Sequence, residues 1–223
     1  MHRVMMANLL LAVSICVAGG CNILTSVDYL TADEPTVEAM YVLPDRPTVV
    51  FVDDRRNLLS PRRLRVELAD RVSEELQIHD NLSATISPRD AMSVSDMQDR
   101  HRQLMSVAGI GREVGADQVV YLEMMRFQLS ANGHSVDPVI QCNVRVINVT
   151  DRERVFPVPG GNDTSYPVTA TLRKVSPDRL RSAAARADLS QELVIELGDT
   201  VSRLFRKWEP GLVGDRINPT PRR

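Results

Sequence analysis

Cysteine is scarce in this chain: three residues in 223, at Cys16, Cys21 and Cys142. No Cys-x-x-Cys pair exists, which excludes a disulfide scaffold and a thiolate metal site. Aromatic residues are 4% of the chain and include a single tryptophan, Trp208. Lysine occurs only at Lys174 and Lys207, so arginine carries nearly all the basic charge. The formal net charge is −2. That balance lacks the basic stripe of a nucleic-acid binder, and no nucleic-acid partner is expected. No apolar run reaches the ~20 residues that a membrane-spanning helix needs. His79, His101 and His134 are scattered, with no His-x-x-x-His pair. Ser60 precedes a proline and has no Gly-x-Ser-x-Gly frame around it. No internal repeat is visible. The hydrophobic fraction of 43% and the charged fraction of 25% are those of a folded globular protein.

What the chain does have begins at its start. Arg3 precedes an apolar run from Val4 to Val17, interrupted by Asn8, and Ala18-Gly19-Gly20-Cys21 follows. A basic start, an apolar stretch and small residues are the anatomy of a secretory signal peptide. A cysteine directly after the small residues resembles the lipobox of bacterial lipoproteins, although Ala18 stands where leucine is usual. The resemblance implies diacylglycerol on the Cys21 thiol, cleavage before Cys21 and acylation of the new amino group. A cleaved soluble protein and a retained anchor are the alternatives. Asn22 follows the cysteine in place of the aspartate that marks inner-membrane retention in some such lipoproteins. This leans toward the outer membrane, facing the periplasm.

The expected organisation is a signal peptide over 1–20, a lipidated tether over 21–46, one domain over 47–209 and a polar tail over 210–223. Within the tether, partial order is expected near Tyr41-Val42-Leu43. Pro47 to Val52 is a β-branched and aromatic run that suits a strand covered on both faces. Ser60-Pro61 predicts a helix start, with Pro61 as the first helical residue. Leu64, Leu68, Val72 and Leu76 then line one helix face. Leu82 to Ser87 reads as a short strand closed by Pro88. Ser93 to Val114 reads as a helix broken near Gly109-Ile110-Gly111, with Met97, Leu104, Val107, Ile110 and Val114 on its apolar face. Gly115-Ala116-Asp117 ends it.

Val119 to Phe127 and Pro138 to Val149 are the next strands, with a hairpin signal at Asn132-Gly133 between them. Ile140, Cys142, Val144 and Val146 alternate with polar residues, so Cys142 is expected to be a buried, inert thiol. Val155-Phe156-Pro157 and Tyr166 to Leu172 are shorter strand candidates. Asp188-Leu189-Ser190-Gln191 resembles a capping box. It opens a long last helix with Leu189, Leu193, Leu197, Val201, Leu204 and Trp208 on one face. The fold expected is α/β (α+β): a single mixed sheet of four to five strands with helices packed on it.

Three candidate sites emerge. Asp53 and Asp54 follow a buried strand, where α/β proteins often place chemistry, but Arg55 and Arg56 are adjacent and can simply pair with them. Gly109, Gly111 and Gly115 superficially suggest a phosphate loop, but they precede a strand instead of following one. The third is the end of the last helix. Its apolar stripe is expected to pack on the sheet, while Phe205 and Trp208 are expected to reach past the domain and dock a partner, with Trp208 partly exposed.

The order of elements, with the lipobox, resembles a group of envelope proteins. The group comprises lipoprotein activators of penicillin-binding proteins, the curli secretion-channel family and the amino-terminal domain of TolB. The resembling pieces are Thr48-Val49-Val50-Phe51-Val52, the helix Leu64 to Leu76, Gly115-Ala116-Asp117-Gln118-Val119-Val120 and Val144-Arg145-Val146-Ile147-Asn148-Val149. The resemblance implies a compact sheet with packed helices and no catalytic residues. The expected role is a membrane-tethered, non-catalytic module that binds an envelope protein partner, with no cofactor and no metal. A channel or secretion subunit, and an envelope hydrolase, are the alternatives.

Overall fold

A computed structural model describes residues 36–79, 82–100, 105–130, 135–160 and 163–210. Cys21, the signal peptide, most of the tether, His101, Leu104, the Asn132-Gly133 turn, His134 and most of the tail lie outside these residues. The chain divides into two units. Glu38–Trp208 holds all the elements below. Met1–Val37 with Glu209–Arg223 forms the other, of which only residues 36, 37, 209 and 210 are described.

Strand β1 is Thr48–Asp53, and all six of its residues are buried. A strand buried on both faces must sit inside a sheet with cover above and below. It does: β1 pairs in parallel with the two-residue β2 (Thr85–Ile86) and with β3 (Gln118–Ser130). β3 pairs antiparallel with β4 (Val136–Asn148). β5 (Glu153–Phe156) and β6 (Tyr166–Thr171) both pair antiparallel with β4, on successive stretches of it. The fold is thus a mixed six-stranded sheet in the order β2-β1-β3-β4-β5, with β6 beside the first half of β4.

Helix α1 is Arg63–His79 and buries Leu64, Leu68, Val72 and Leu76. It begins two residues later than expected. Pro61 lies in the preceding turn, after a cis Ser60-Pro61 peptide, and its carbonyl accepts the Leu64 N–H at 3.0 Å. Helix α2 is Pro88–Arg100. Here Pro88 opens a helix instead of merely closing a strand, because a first helical residue needs no N–H partner. Met97, expected on an apolar face, is 53% exposed. Helix α3 is Val107–Glu113, so the expected break at Gly109-Ile110-Gly111 falls earlier, between α2 and α3. Ser106 Oγ accepts the Gly109 N–H at 3.1 Å and caps α3.

Helix α4 is Ala183–Ser202. Its cap is Ser182, whose Oγ accepts the Ala185 N–H at 3.0 Å, so the Asp188 capping box lies inside the helix. It ends at Ser202; Leu204 and Phe205 lie in the turn and bend that follow, and Trp208 lies beyond them in an isolated β-bridge.

The register divides the core into two faces. Val50, Val52, Val120, Leu122, Val144 and Val146 share one, are 0% exposed, and lie under α1 and α4. Val49, Phe51, Asp53, Val119 and Tyr121 share the other, where α3 packs. Gly111 is what lets α3 approach: a Cβ there would stand 2.6 Å from Val119 Cγ2 and 2.7 Å from Val149 Cγ2. Gly115 then takes a φ of +75°, which glycine adopts without steric cost, and ends the helix. Beyond it the Asp117 N–H donates to Pro47 O at 2.8 Å, and Asp117 O accepts the Val149 N–H at 2.9 Å. The Gly-Ala-Asp step therefore joins the start of β1, the start of β3 and the end of β4.

Candidate functional site

The β1–α1–β2 connection runs to one side of β1 and the β2–α2–α3–β3 connection runs back to the other. Such a reversal opens a crevice at the carboxyl ends of the parallel strands. A cleft of about 290 Å³ lies there, with Phe51, Asp53, Asp54, Arg62, Arg65 and Asp96 among its walls. Met105, Val107 and Ile110 add an apolar side.

Each carboxylate of this cleft has structural partners. Asp53, 8% exposed, accepts the Tyr121 hydroxyl at 2.8 Å and Arg55 Nε at 3.1 Å through Oδ2. Asp54 accepts the backbone N–H of Leu58 and of Leu59, both at 2.8 Å, and so folds the loop into α1. Asp96 lies 3.6 Å from Arg65 Nη1. Arg65 also donates from Nε to Val52 O at 2.6 Å, and its guanidinium sits 5.6 Å from the Phe51 ring centre. The arginine thereby satisfies a carbonyl of β1 beyond the short β2.

A polar chain continues from the cleft along the sheet. The Arg145 guanidinium stacks 5.0 Å from the Tyr121 ring centre and pairs with Glu123. Burial, the Asp53 hydrogen bond and the charges of Asp53 and Glu123 push the Tyr121 phenol above its ordinary range, with Arg145 partly opposing them. Tyr121 is therefore a neutral, permanent donor to Asp53 at physiological pH. It is poorly suited to shuttle a proton.

The other sequence candidates are placed apart. Ser60 is exposed beside α1. His79 sits at the end of α1, with Nε2 3.5 Å from Glu75 Oε2. Among the described residues no group of three or more His, Cys, Asp or Glu is placed to hold a metal ion. Gly109 and Gly111 lie within α3 and cradle no loop. Cys142 is fully buried, and desolvation raises its thiol well above the ordinary range.

Of the expected docking pair, Phe205 is 2% exposed and stands edge-on to Phe156 with ring centres 5.6 Å apart. It is a core residue with no surface to offer a partner, because the turn after α4 folds back onto the sheet. Trp208 is half-buried, with the Arg203 guanidinium 5.0 Å from its ring centre. Sequence reasoning missed Tyr121, Arg65 and Arg145. Their roles depend on strand register and on a helix start, and no local spacing signals them.

No protein-family model matches the chain, and no curated protein matches it. Among solved structures, the PelC dodecamer from Paraburkholderia phytofirmans is similar at 13% identity, over 78% of this chain and 98% of that one, with a TM-score of 0.41. The hypothetical protein CT253 from Chlamydia trachomatis is similar at 18% identity, over 72% and 91% of the two chains, with a TM-score of 0.40. The lipoprotein GNA1162 from Neisseria meningitidis is similar at 10% identity, over 66% and 94%, with a TM-score of 0.35. These likenesses assign the chain to no family.

Proposed function

We propose that this chain is a membrane-anchored bacterial lipoprotein of the cell envelope that acts as a non-catalytic protein-binding or assembly module. The address rests on Ala18-Gly19-Gly20-Cys21 after an apolar run, which fits lipidation at Cys21 and the outer membrane facing the periplasm. The observation that carries the non-catalytic reading is the state of the cleft. Asp53, Asp54 and Asp96 all have partners that hold the fold together, and Tyr121 is held neutral. A binding role asks less of them. Arg62 and the outer end of Arg55 border the opening, and Met105, Val107 and Ile110 form one apolar wall for a partner's side chain.

A photo-crosslinking amino acid at position 62, used in intact cells, tests this reading. A discrete adduct to one envelope protein supports it. The absence of any adduct, together with turnover of an envelope substrate that Asp53→Asn abolishes, contradicts it.

A channel or secretion subunit is the second reading. β3 and β4 are 13 residues each, longer than the nine to eleven that a barrel strand requires. Against it, Ile140, Cys142, Val144 and Val146 are 0% exposed and packed in the core, so this side of β4 offers no face to lipid. A large ring in detergent by electron microscopy favours the channel; a monomer favours the module.

A further inference from the structure

The segment from Glu38 to Leu43 runs along the turn that follows α4. The Met40 and Tyr41 N–H groups both donate to Leu204 O, at 2.8 and 3.2 Å. Tyr41 and Leu43 point inward. The Tyr41 ring lies 5.8 Å from that of Phe156, and Leu43 is 3% exposed. The alternate residues point out: Met40 is 53% exposed and Val42 74%. Lys207 Nζ reaches Glu38 Oε1 at 2.9 Å with both side chains largely in solvent, and Trp208 stacks under Arg203 just beyond. Among the described residues this strip of surface thus carries two exposed aliphatic side chains, a half-buried indole and two cations, with the carboxylates of Glu38 and of the adjoining exposed Glu209.

We infer that this strip is a membrane-facing surface that rests on the headgroup region of the phospholipid bilayer. Each component has its physical reason. An indole places its apolar body and its one donor at the boundary between tails and headgroups. Arginine and lysine lay their stems on apolar surface and extend their charge to lipid phosphates. The exposed Lys207–Glu38 pair is weak in water, so lipid phosphate competes for the lysine readily. Met40 and Val42 supply apolar area that has no cover within the Glu38–Trp208 unit.

The position of the bilayer rests on the lipid-anchored reading proposed above. Sixteen residues lie between Cys21 and Glu38. Fully extended they span at most about 60 Å, and the strip is the part of the domain that the chain enters first from the anchored end. The acyl chains supply the affinity; the strip sets the orientation of the domain on the bilayer.

Trp208 is the sole tryptophan, so its fluorescence reports this strip alone. The test uses the full mature protein reconstituted into phosphatidylglycerol–phosphatidylethanolamine vesicles, with and without bromine on the acyl chains. The intact mass establishes first whether Cys21 is acylated. Trp208 emission is expected to fall by about twofold in brominated vesicles, as for an indole at the interface. The double variant Met40→Ser, Val42→Ser, with an unchanged circular dichroism spectrum, should lose most of that quenching. Acylated protein with no bromine quenching overturns the strip and leaves the anchor standing. So does quenching that the double variant retains in full. Unacylated protein contradicts the lipid-anchored reading, and the proposal, which rests on it, falls with it. Shielding of Trp208 from iodide in native membranes only, with no bromine quenching, assigns the indole to a protein partner and also overturns the proposal.

Discussion

The Tyr121 hydroxyl donates to Asp53 Oδ2 at 2.8 Å from a diagonal position, since the register sets Tyr121 opposite Phe51 and Asp53 opposite Glu123. The bond closes the carboxyl end of the parallel pair and gives the buried Asp53 carboxylate a second partner beside Arg55 Nε. Tyr121→Phe should destabilise the fold by about 0.5–1.5 kcal/mol, the net worth of one hydrogen bond, because Arg55 Nε still pairs with Asp53 Oδ2. Urea denaturation checks this; an unchanged midpoint would show that the bond is not made in solution.

The same pair sets an alkaline limit. The phenol of Tyr121 is raised above its ordinary 10.0, chiefly by burial and then by Asp53. For a group raised on folding, the stabilising contribution is fully present below the unfolded value and is lost as pH rises above it toward the folded value. Stability should therefore decline above about pH 10, and the decline should be shallower in Tyr121→Phe. Identical slopes for both proteins would contradict the assignment.

Gly109 and Gly111 should respond in opposite ways to alanine. At Gly111 the new methyl would strike Val119 and Val149, both held in the core, and should cost about 1–3 kcal/mol by overpacking. At Gly109 the nearest atom is Cγ of the flexible Met105 side chain, 2.7 Å away, with the capping Ser106 Oγ at 3.2 Å. There the gain in helix propensity, up to about 1 kcal/mol, should make the change neutral or stabilising. Thermal melts of the two variants decide it, and equal effects would mean that α3 does not sit on Val119.

Leu68 is 0% exposed in the centre of α1. Leu68→Ala should destabilise by roughly 2–5 kcal/mol, the range for a buried leucine truncated in a packed core. Cys142, equally buried and with its thiol raised by desolvation, should not react with a disulfide reagent under native conditions. Mass analysis of the Cys142 peptide should show modification only after unfolding.

The parts of the fold readable in the sequence are those in which one periodicity dominates. Thr48–Asp53 has a continuous β-branched run because both of its faces are covered, and Ile140 to Val146 alternates because one face is. Leu64, Leu68, Val72 and Leu76 recur at helical spacing and are all buried. Element ends are less readable, because they depend on which of several polar residues captures a free N–H. Ser182 caps α4 in place of Asp188, and Asp54 and Pro61 together set the approach to α1. Gly109 and Gly111 look like a helix break, yet both lie inside α3, where Gly111 permits close packing. The cleft was legible only as Asp53-Asp54 after a strand. Tyr121 and Arg65 enter it through register and helix placement, which no short motif encodes. Phe205 reads as an exposed helix end but is folded into the core by the turn after Ser202.

The central claim is that this domain works from a lipid anchor at Cys21. Metabolic labelling with a clickable fatty acid, followed by mass analysis of the amino terminus, tests it most directly. The account predicts a labelled mature chain that begins at Cys21, and a Cys21→Ala variant that stays uncleaved and unlabelled. A wild-type chain without label, or a Cys21→Ala chain labelled as strongly as the wild type, would contradict it.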